Sequence, residues 1–327
     1  MFIPLLKIAF RLAAASKAAL CAVLMLCLAI APAQHALAQA VTGERLAALV
    51  VTPEASYPAD IIYDKVVRGI SSSANLEVTR LTLPKGSELE WLQEQVNSRT
   101  HSIVIAVGNQ SYQLCAELET DSTVVAGGIS GKPNGIPTLS LTGDPRAALS
   151  QVKKIAPEVR DIRLVYSVPM NGWWYDQAKQ VAQEFGIEIH GYRADDLKQG
   201  VKLYEKMVRE STPKQSAIWI PLRSIVPSKT ILPFLLEKAW SKKLPVVSNN
   251  PSHTKLGSLM ALYPEHESMG AQLAEFAIAH HNRLATVERI NGTTRLRLAV
   301  NLRTGAHIGL RFSAEQRKRF DKIFPAR

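Results

Sequence analysis

The chain has 327 residues, 46% hydrophobic and 20% charged, with a formal net charge of +11. This is globular composition, long enough for two α/β lobes of roughly 100–150 residues each. After the first forty residues no stretch reaches the ~20 apolar residues that a bilayer span needs. Nucleic-acid binding needs a concentrated basic face with a reading element. Here the basic residues are read as dispersed, except in Arg311–Arg319. The charge is read as a solvated basic surface, one that also favours anionic ligands or an acidic membrane surface.

The first forty residues have the order of a secretory signal. Lys7, Arg11 and Lys17 are basic, Ala18–Ala31 is wholly apolar, and Pro32 ends the run before the small residues of Ala36-Leu37-Ala38-Gln39-Ala40. Cleavage is expected after Ala38 or Ala40, which places the mature chain in the periplasm with a charge of about +8. A retained membrane anchor is the alternative. Cys21 and Cys27 each follow a leucine, where a lipoprotein signal has a small residue. Cys115 is then the lone cysteine of the mature chain and reads as a core residue on an amphipathic helix.

From residue 46 the pattern alternates. Leu46–Val51 reads as a buried strand, Thr52–Pro58 as a loop, and Ile61–Ser72 as a helix with apolar residues at helical spacing. A strand over Glu77–Leu83 and a helix over residues 87–98 follow. Ser102–Val107 is a strand ending at Gly108-Asn109-Gln110-Ser111, with a helix through Leu118. Strands are expected at Thr123–Ala126, Ile162–Tyr166, Ile187–Tyr192, Ala217–Ile220 and Leu244–Ser248. Helices are expected at Arg146–Ile155, Tyr175–Phe185, Val201–Arg209, residues 228–241 and Met269–His281. Strands alternating with helices of this length predict parallel sheets covered on both faces. The two halves begin alike: Leu49–Val51 leads to Tyr63-Asp64, and Leu164–Tyr166 leads to Tyr175-Asp176. Near the end, Asn291-Gly292 predicts a hairpin turn between Val287–Ile290 and Thr294–Val300. Arg303–Ile308 and Ala314–Phe324 read as short closing helices.

Catalytic and metal signatures are not evident. There is no Gly-x-Ser-x-Gly elbow, no His-Glu-x-x-His and no cysteine pair at metal spacing. Gly127–Pro133 lacks the Gly-Lys-Ser/Thr ending of a phosphate loop. His280 and His281 diverge by about 100° on a helix, so they do not share a metal. Asp195-Asp196 and Glu265-His266-Glu267 read as solvated faces or helix starts. No enzyme activity, cofactor or metal is expected.

Three segments carry a resemblance. They are Ile155–Tyr166, then Lys243–Ser248 with Lys255–Ser258, then Met269-Gly270 with Leu298–Leu310 and its Asn-Leu-x-Thr-x-x-x-x-Gly-Leu string. Together they resemble the substrate-binding components of ABC transporters, in the family that includes aromatic amino-acid binders. The resemblance spans roughly residues 45–325 and is clearest from 155 on. It implies a type I periplasmic binding fold: two doubly wound parallel-sheet lobes joined by a hinge, with ligand at the carboxyl ends of the strands. By analogy the signal occupies 1–40, the first lobe 41–144 plus 264–285, and the second lobe 145–263 plus 286–327. The crossings then fall near Gly143–Asp144, Tyr263–Pro264 and Ala285–Thr286.

Strand ends nominate the site. In the first lobe they are Ser56, Tyr57, Asn109, Gln110 and Ser111. In the second they are Asn171, Trp173, Trp174, Arg223, Ser224, Asn249 and Asn250, with Glu265 near a hinge. Trp173 and Trp174 are placed in a loop before a helix, where an aromatic can stack on a planar ligand or pack under that helix. Arg223 suits a carboxylate or phosphate, or a surface ion pair. Asn249-Asn250 also suits a turn before Pro251. Relatives often carry an acidic and a small polar residue where this chain has Arg223-Ser224. That acid suits a ligand amino group, whereas arginine repels it, so amino-acid specificity is not carried over and an anionic ligand is expected. The implied role is a monomeric solute-binding protein serving an ABC permease in the inner membrane. The alternatives are a ligand-sensing module for a membrane receptor, an enzyme on a similar scaffold, or a relative that binds nothing.

Overall fold

The computed structural model describes residues 45–130, 135–284 and 290–326. The expected signal segment, its cleavage points and Gly131–Pro133 lie outside them. Leu46–Arg327 is one compact unit that contains both sheets and all four apolar clusters.

The first lobe runs β1 (Leu46–Pro53), α1 (Ala59–Ser71), β2 (Leu76–Leu83), α2 (Leu89–Asn97), β3 (Ile103–Val107), α3 (Asn109–Cys115), β4 (Thr123–Ile129) and β5 (Thr138–Gly143). The second runs α4 (Pro145–Ile155), β6 (Asp161–Tyr166), α5 (Val168–Ala182), β7 (Glu188–Arg193), α6 (Leu197–Glu210), β8 (Ser216–Ile220), α7 (Ser228–Lys242), β9 (Val246–Ser248), α8 (Pro251–Leu256) and β10 (Met260–Pro264). The chain then returns to the first lobe with α9 (His266–His281) and β11 (Ile290–Thr293). It ends in the second with β12 (Leu296–Asn301), α10 (Leu302–His307), α11 (Ala314–Lys318) and β13 (Lys322–Phe324).

The strand order is β11-β5-β4-β3-β1-β2 in one sheet and β13-β12-β10-β9-β8-β6-β7 in the other. Every pairing is parallel except β10 with β12. Central strands of such sheets are covered on both faces and read as continuous apolar runs. β3, Ile-Val-Ile-Ala-Val, is buried throughout. Its period of two still sorts the side chains. Ile103, Ile105 and Val107 join the cluster under α1 and α9, while Val104 and Ala106 join the one under α2 and α3. Cys115 lies in that second cluster, where burial pushes its thiol up to about 12.

Two expectations fail near the crossings. Asn291-Gly292 is not a turn: both residues lie within β11, paired parallel to β5. Gly292 serves close approach instead, since a Cβ there would come within 2.5 Å of the Asp144 backbone nitrogen. Because β11 belongs to the first sheet and β12 to the second, the third crossing falls at Thr294–Arg295, not at Ala285–Thr286. The first and third crossings therefore run side by side, tied by the Asp144 N–H donating to the Thr293 carbonyl at 2.9 Å. The closing segment also differs. Only Ala314–Lys318 is helical, and Lys322–Phe324 adds an edge strand beside β12.

Candidate functional site

The lobes meet at the carboxyl ends of β4, β6, β8 and β9, the edge at which open α/β sheets bind ligands. A small cavity there is lined by Ser130 and Thr142 from the first lobe. Leu164, Met170, Asn171, Trp174, Trp219, Pro221, Leu222, Arg223 and Asn249 line it from the second. Its volume is about 10 Å³, on the order of a single water.

Its floor is a chain of aromatic rings and amides. The Trp174 indole N–H donates to the Gly143 carbonyl at the first crossing, 2.9 Å away. Its ring lies 4.9 Å from that of Trp219 at a 40° tilt. The Trp219 N–H donates to Asn249 Oδ1 at 3.0 Å, and Asn249 Nδ2 donates to the Leu262 carbonyl on β10. Buried indole N–H groups require such acceptors, so this row ties one crossing strand to another through the second lobe.

Asn171 and Arg223 form the wall. Asn171 breaks the helical path of α5, with φ −149° and ψ 15°. Its side chain accepts from the Ser167 N–H at 2.9 Å and donates to the Arg223 carbonyl at 2.8 Å. That amide clamps the loop after β6 to the loop after β8. The Arg223 residue is exposed and forms no ion pair among the described residues. Among the described residues no carboxylate lines the cavity. The local chemistry is a cation with hydroxyls and amides over an aromatic floor.

The cavity thus brings together Asn171, Trp174, Arg223 and Asn249. The other nominated residues stand elsewhere. Trp173 and Trp174 are not in a loop: α5 begins at Val168, with Pro169 in the first turn, where its missing N–H is not needed. Both indoles are buried, at 9% and 2% exposure; Trp174 lines the cavity and Trp173 does not. Ser224 bonds the buried Tyr204 hydroxyl at 3.2 Å. Asn250 caps α8 by accepting from the Ser252 N–H at 2.9 Å. Glu265 caps α9 through Ser268 and receives Arg297 at 3.3 Å. Burial opposes its ionisation, but the Ser268 hydrogen bonds and the Arg297 charge outweigh that and hold its carboxyl below the usual range.

In the first lobe, Ser56 and Tyr57 are exposed in the loop before α1, and Asn109, Gln110 and Ser111 open α3. None of these five lines the cavity. Ser130, Thr142, Leu164, Met170, Trp219, Pro221 and Leu222 also line it, though the sequence did not nominate them. Met170 and Leu222 adjoin nominated residues, and Thr142 precedes the first crossing. Trp219 sits inside a strand, and nothing in its neighbours indicates which face it takes.

Among the described residues, no group of three or more His, Cys, Asp or Glu is placed to hold a metal. No described helix is long and apolar enough to cross a membrane.

This architecture is the type I periplasmic binding-protein fold, the fold of ABC substrate-binding proteins. The solved structures it matches include the ligand-free, open form of a substrate binding protein with adhesive properties from Clostridium difficile. That match has a TM-score of 0.55 at 14% identity, over 86% of this chain and 100% of that one. Others are an ABC domain in complex with L-Trp from Streptococcus pneumonia (TM-score 0.49, 14% identity, 85% and 100% covered) and a periplasmic ribose ABC transporter from Conexibacter woesei (0.45, 12%, 79% and 92%). No family model matches the chain, and no curated protein matches it in sequence.

Proposed function

We propose that the mature chain is a periplasmic solute-binding protein that holds a small anionic molecule between its lobes and delivers it to an ABC importer. The observation that carries this reading is the cavity at the carboxyl ends of both sheets. There no described carboxylate lines the cavity beside Arg223, and Ser130, Thr142, Asn171 and Asn249 supply polar groups. A guanidinium receives a carboxylate or phosphate through two parallel hydrogen bonds. A solute pocket is ordinarily about 300–1,000 Å³, far above the volume present here. Entry therefore requires the lobes to part, with Met170 and Leu222 yielding, before closure around the solute.

A thermal-unfolding panel of carboxylates, phosphates, sugars and amino acids tests this. A true ligand at 100 times its Kd adds about 2.7 kcal/mol, a rise of several degrees. The rise is expected for an anion and is expected to vanish in Arg223→Ala. Tight binding of a free aromatic amino acid would overturn the anionic reading. No shift across the panel, with protein shown by mass spectrometry to be ligand-free, would overturn solute binding itself.

A further inference from the structure

The basic residues are not dispersed between the lobes. Residues 145–263 with 294–327 hold 27 Lys and Arg against 12 Asp and Glu, whereas residues 41–144 with 264–293 hold 9 against 16. The second lobe is thus strongly cationic and the first is anionic.

The pole of the second lobe at the amino ends of β9 and β10 combines this charge with exposed apolar surface. Trp240, on the last turns of α7, is 38% exposed, and Leu256, at the end of α8, is 66% exposed. With Leu236 and Pro325 they border a groove of about 410 Å³. Arg303 lies over the Trp240 ring at 5.7 Å, and Lys255 joins the same groove. The His307 ring stacks on the same indole at 3.6 Å. Lys243 follows directly, and its carbonyl accepts from the Lys214 N–H at 3.1 Å. None of Lys214, Lys243, Lys255 and Arg303 has an acidic partner among the described residues. The acid in the groove, Glu237, pairs with Lys238.

An exposed tryptophan and leucine flanked by Lys255 and Arg303, neither of them in an ion pair among the described residues, match a bilayer interface. Indoles sit at headgroup level, and each cation near an anionic leaflet strengthens attachment about fivefold. We propose that this pole docks on an anionic phospholipid surface. The groove lies at the amino ends of β9 and β10, opposite the cavity, so docking leaves the inter-lobe opening free. This does not depend on which solute the cavity takes.

The test is co-sedimentation of residues 41–327, which carry the whole compact unit, with phosphatidylcholine vesicles and with phosphatidylcholine–phosphatidylglycerol vesicles at 3:1. Binding is expected to the anionic vesicles alone and to be released at 1 M salt, where screening acts within about 3 Å. Trp240→Ala and Lys255→Glu/Arg303→Glu are each expected to lower binding at least fivefold, with thermal unfolding monitored to show folded protein. Lys198→Glu/Lys202→Glu on α6 makes the same charge change away from the pole and is expected to have under half that effect. Equal binding to both vesicle types would overturn the proposal. So would equal sensitivity to the α6 variant. Concentration-dependent self-association in sedimentation velocity without vesicle binding would overturn it in favour of the acidic lobe of a second copy.

Discussion

At the residue scale, Arg223 and the two cavity tryptophans differ: Arg223 is the residue proposed to receive the solute, whereas Trp174 and Trp219 hold strands together. Among the described residues the Arg223 side chain forms no ion pair; its carbonyl holds the loop by accepting from Asn171. Arg223→Ala is therefore expected to abolish the ligand-induced shift while leaving the unliganded melting temperature within about 1 °C, as for surface changes generally. Trp174→Phe keeps a ring beside Trp219 but leaves the Gly143 carbonyl without its donor. It is expected to cost roughly 1–3 kcal/mol, read from a urea midpoint at unchanged slope. Glu265 gives a test by pH. Its folded value lies below its ordinary 4.5, so its contribution is complete above that value and is lost as pH falls through the folded one. Glu265→Gln is expected to flatten stability between about pH 3 and 5. The sequence could nominate Arg223 because a cation at a strand end is visible in the chain. It could not separate Asn249, which holds Trp219, from Asn250, which caps a helix, because both are asparagines in one turn.

At the element scale, helix starts and close approaches account for the differences between expectation and structure. Apolar periodicity located the long helices to within a few residues. It placed the start of α5 at Tyr175 because Pro169 and Gly172 resemble a loop, whereas a proline in the first turn is compatible with helix. Asn291-Gly292 has the composition of a turn, but β5 already offers a parallel edge, and pairing with it decides the outcome. Glycine at such contacts is a spacing device. α1 and α9 cross so closely that a Cβ on Gly270 would lie 2.0 Å from the Val66 carbonyl oxygen. Gly270→Ala is expected to lower stability by roughly 1–3 kcal/mol through overpacking, visible as a lower urea midpoint. An alanine at the exposed Gly186, which has open space around it but φ +60°, is expected to cost nearer 1 kcal/mol.

At the scale of the whole molecule, the half-buried His101 and His266 of the first lobe and the buried His253 of the second set a stability limit on the acid side. Burial lowers the values of His101, His253 and His266 from 6.5. Their unfolded forms take up protons first, so stability is full above 6.5 and falls as pH drops toward the folded values. A lower urea midpoint at pH 5.5 than at pH 7.5 is expected, and a smaller drop in a His253→Gln variant, whose side chain no longer titrates beside Ser248.

The sequence by itself determined the alternation of strands and helices, the resemblance in the second half and the cation at the site. These are local signals: period, composition and the residue type at a strand end. Only the tertiary structure decided that Trp174 and Trp219 form one floor, that Ser130 and Thr142 face them, and that β11 lies beside β5. Each of these joins segments far apart in the chain, and which face a strand or helix presents is fixed by its partner across the sheet. The segregation of charge between the lobes was written in the sequence throughout. The lobe bounds implied by the resemblance already contained it, and the sheets moved only the third crossing, to Thr294–Arg295; charges far apart along the chain act together because folding makes them neighbours.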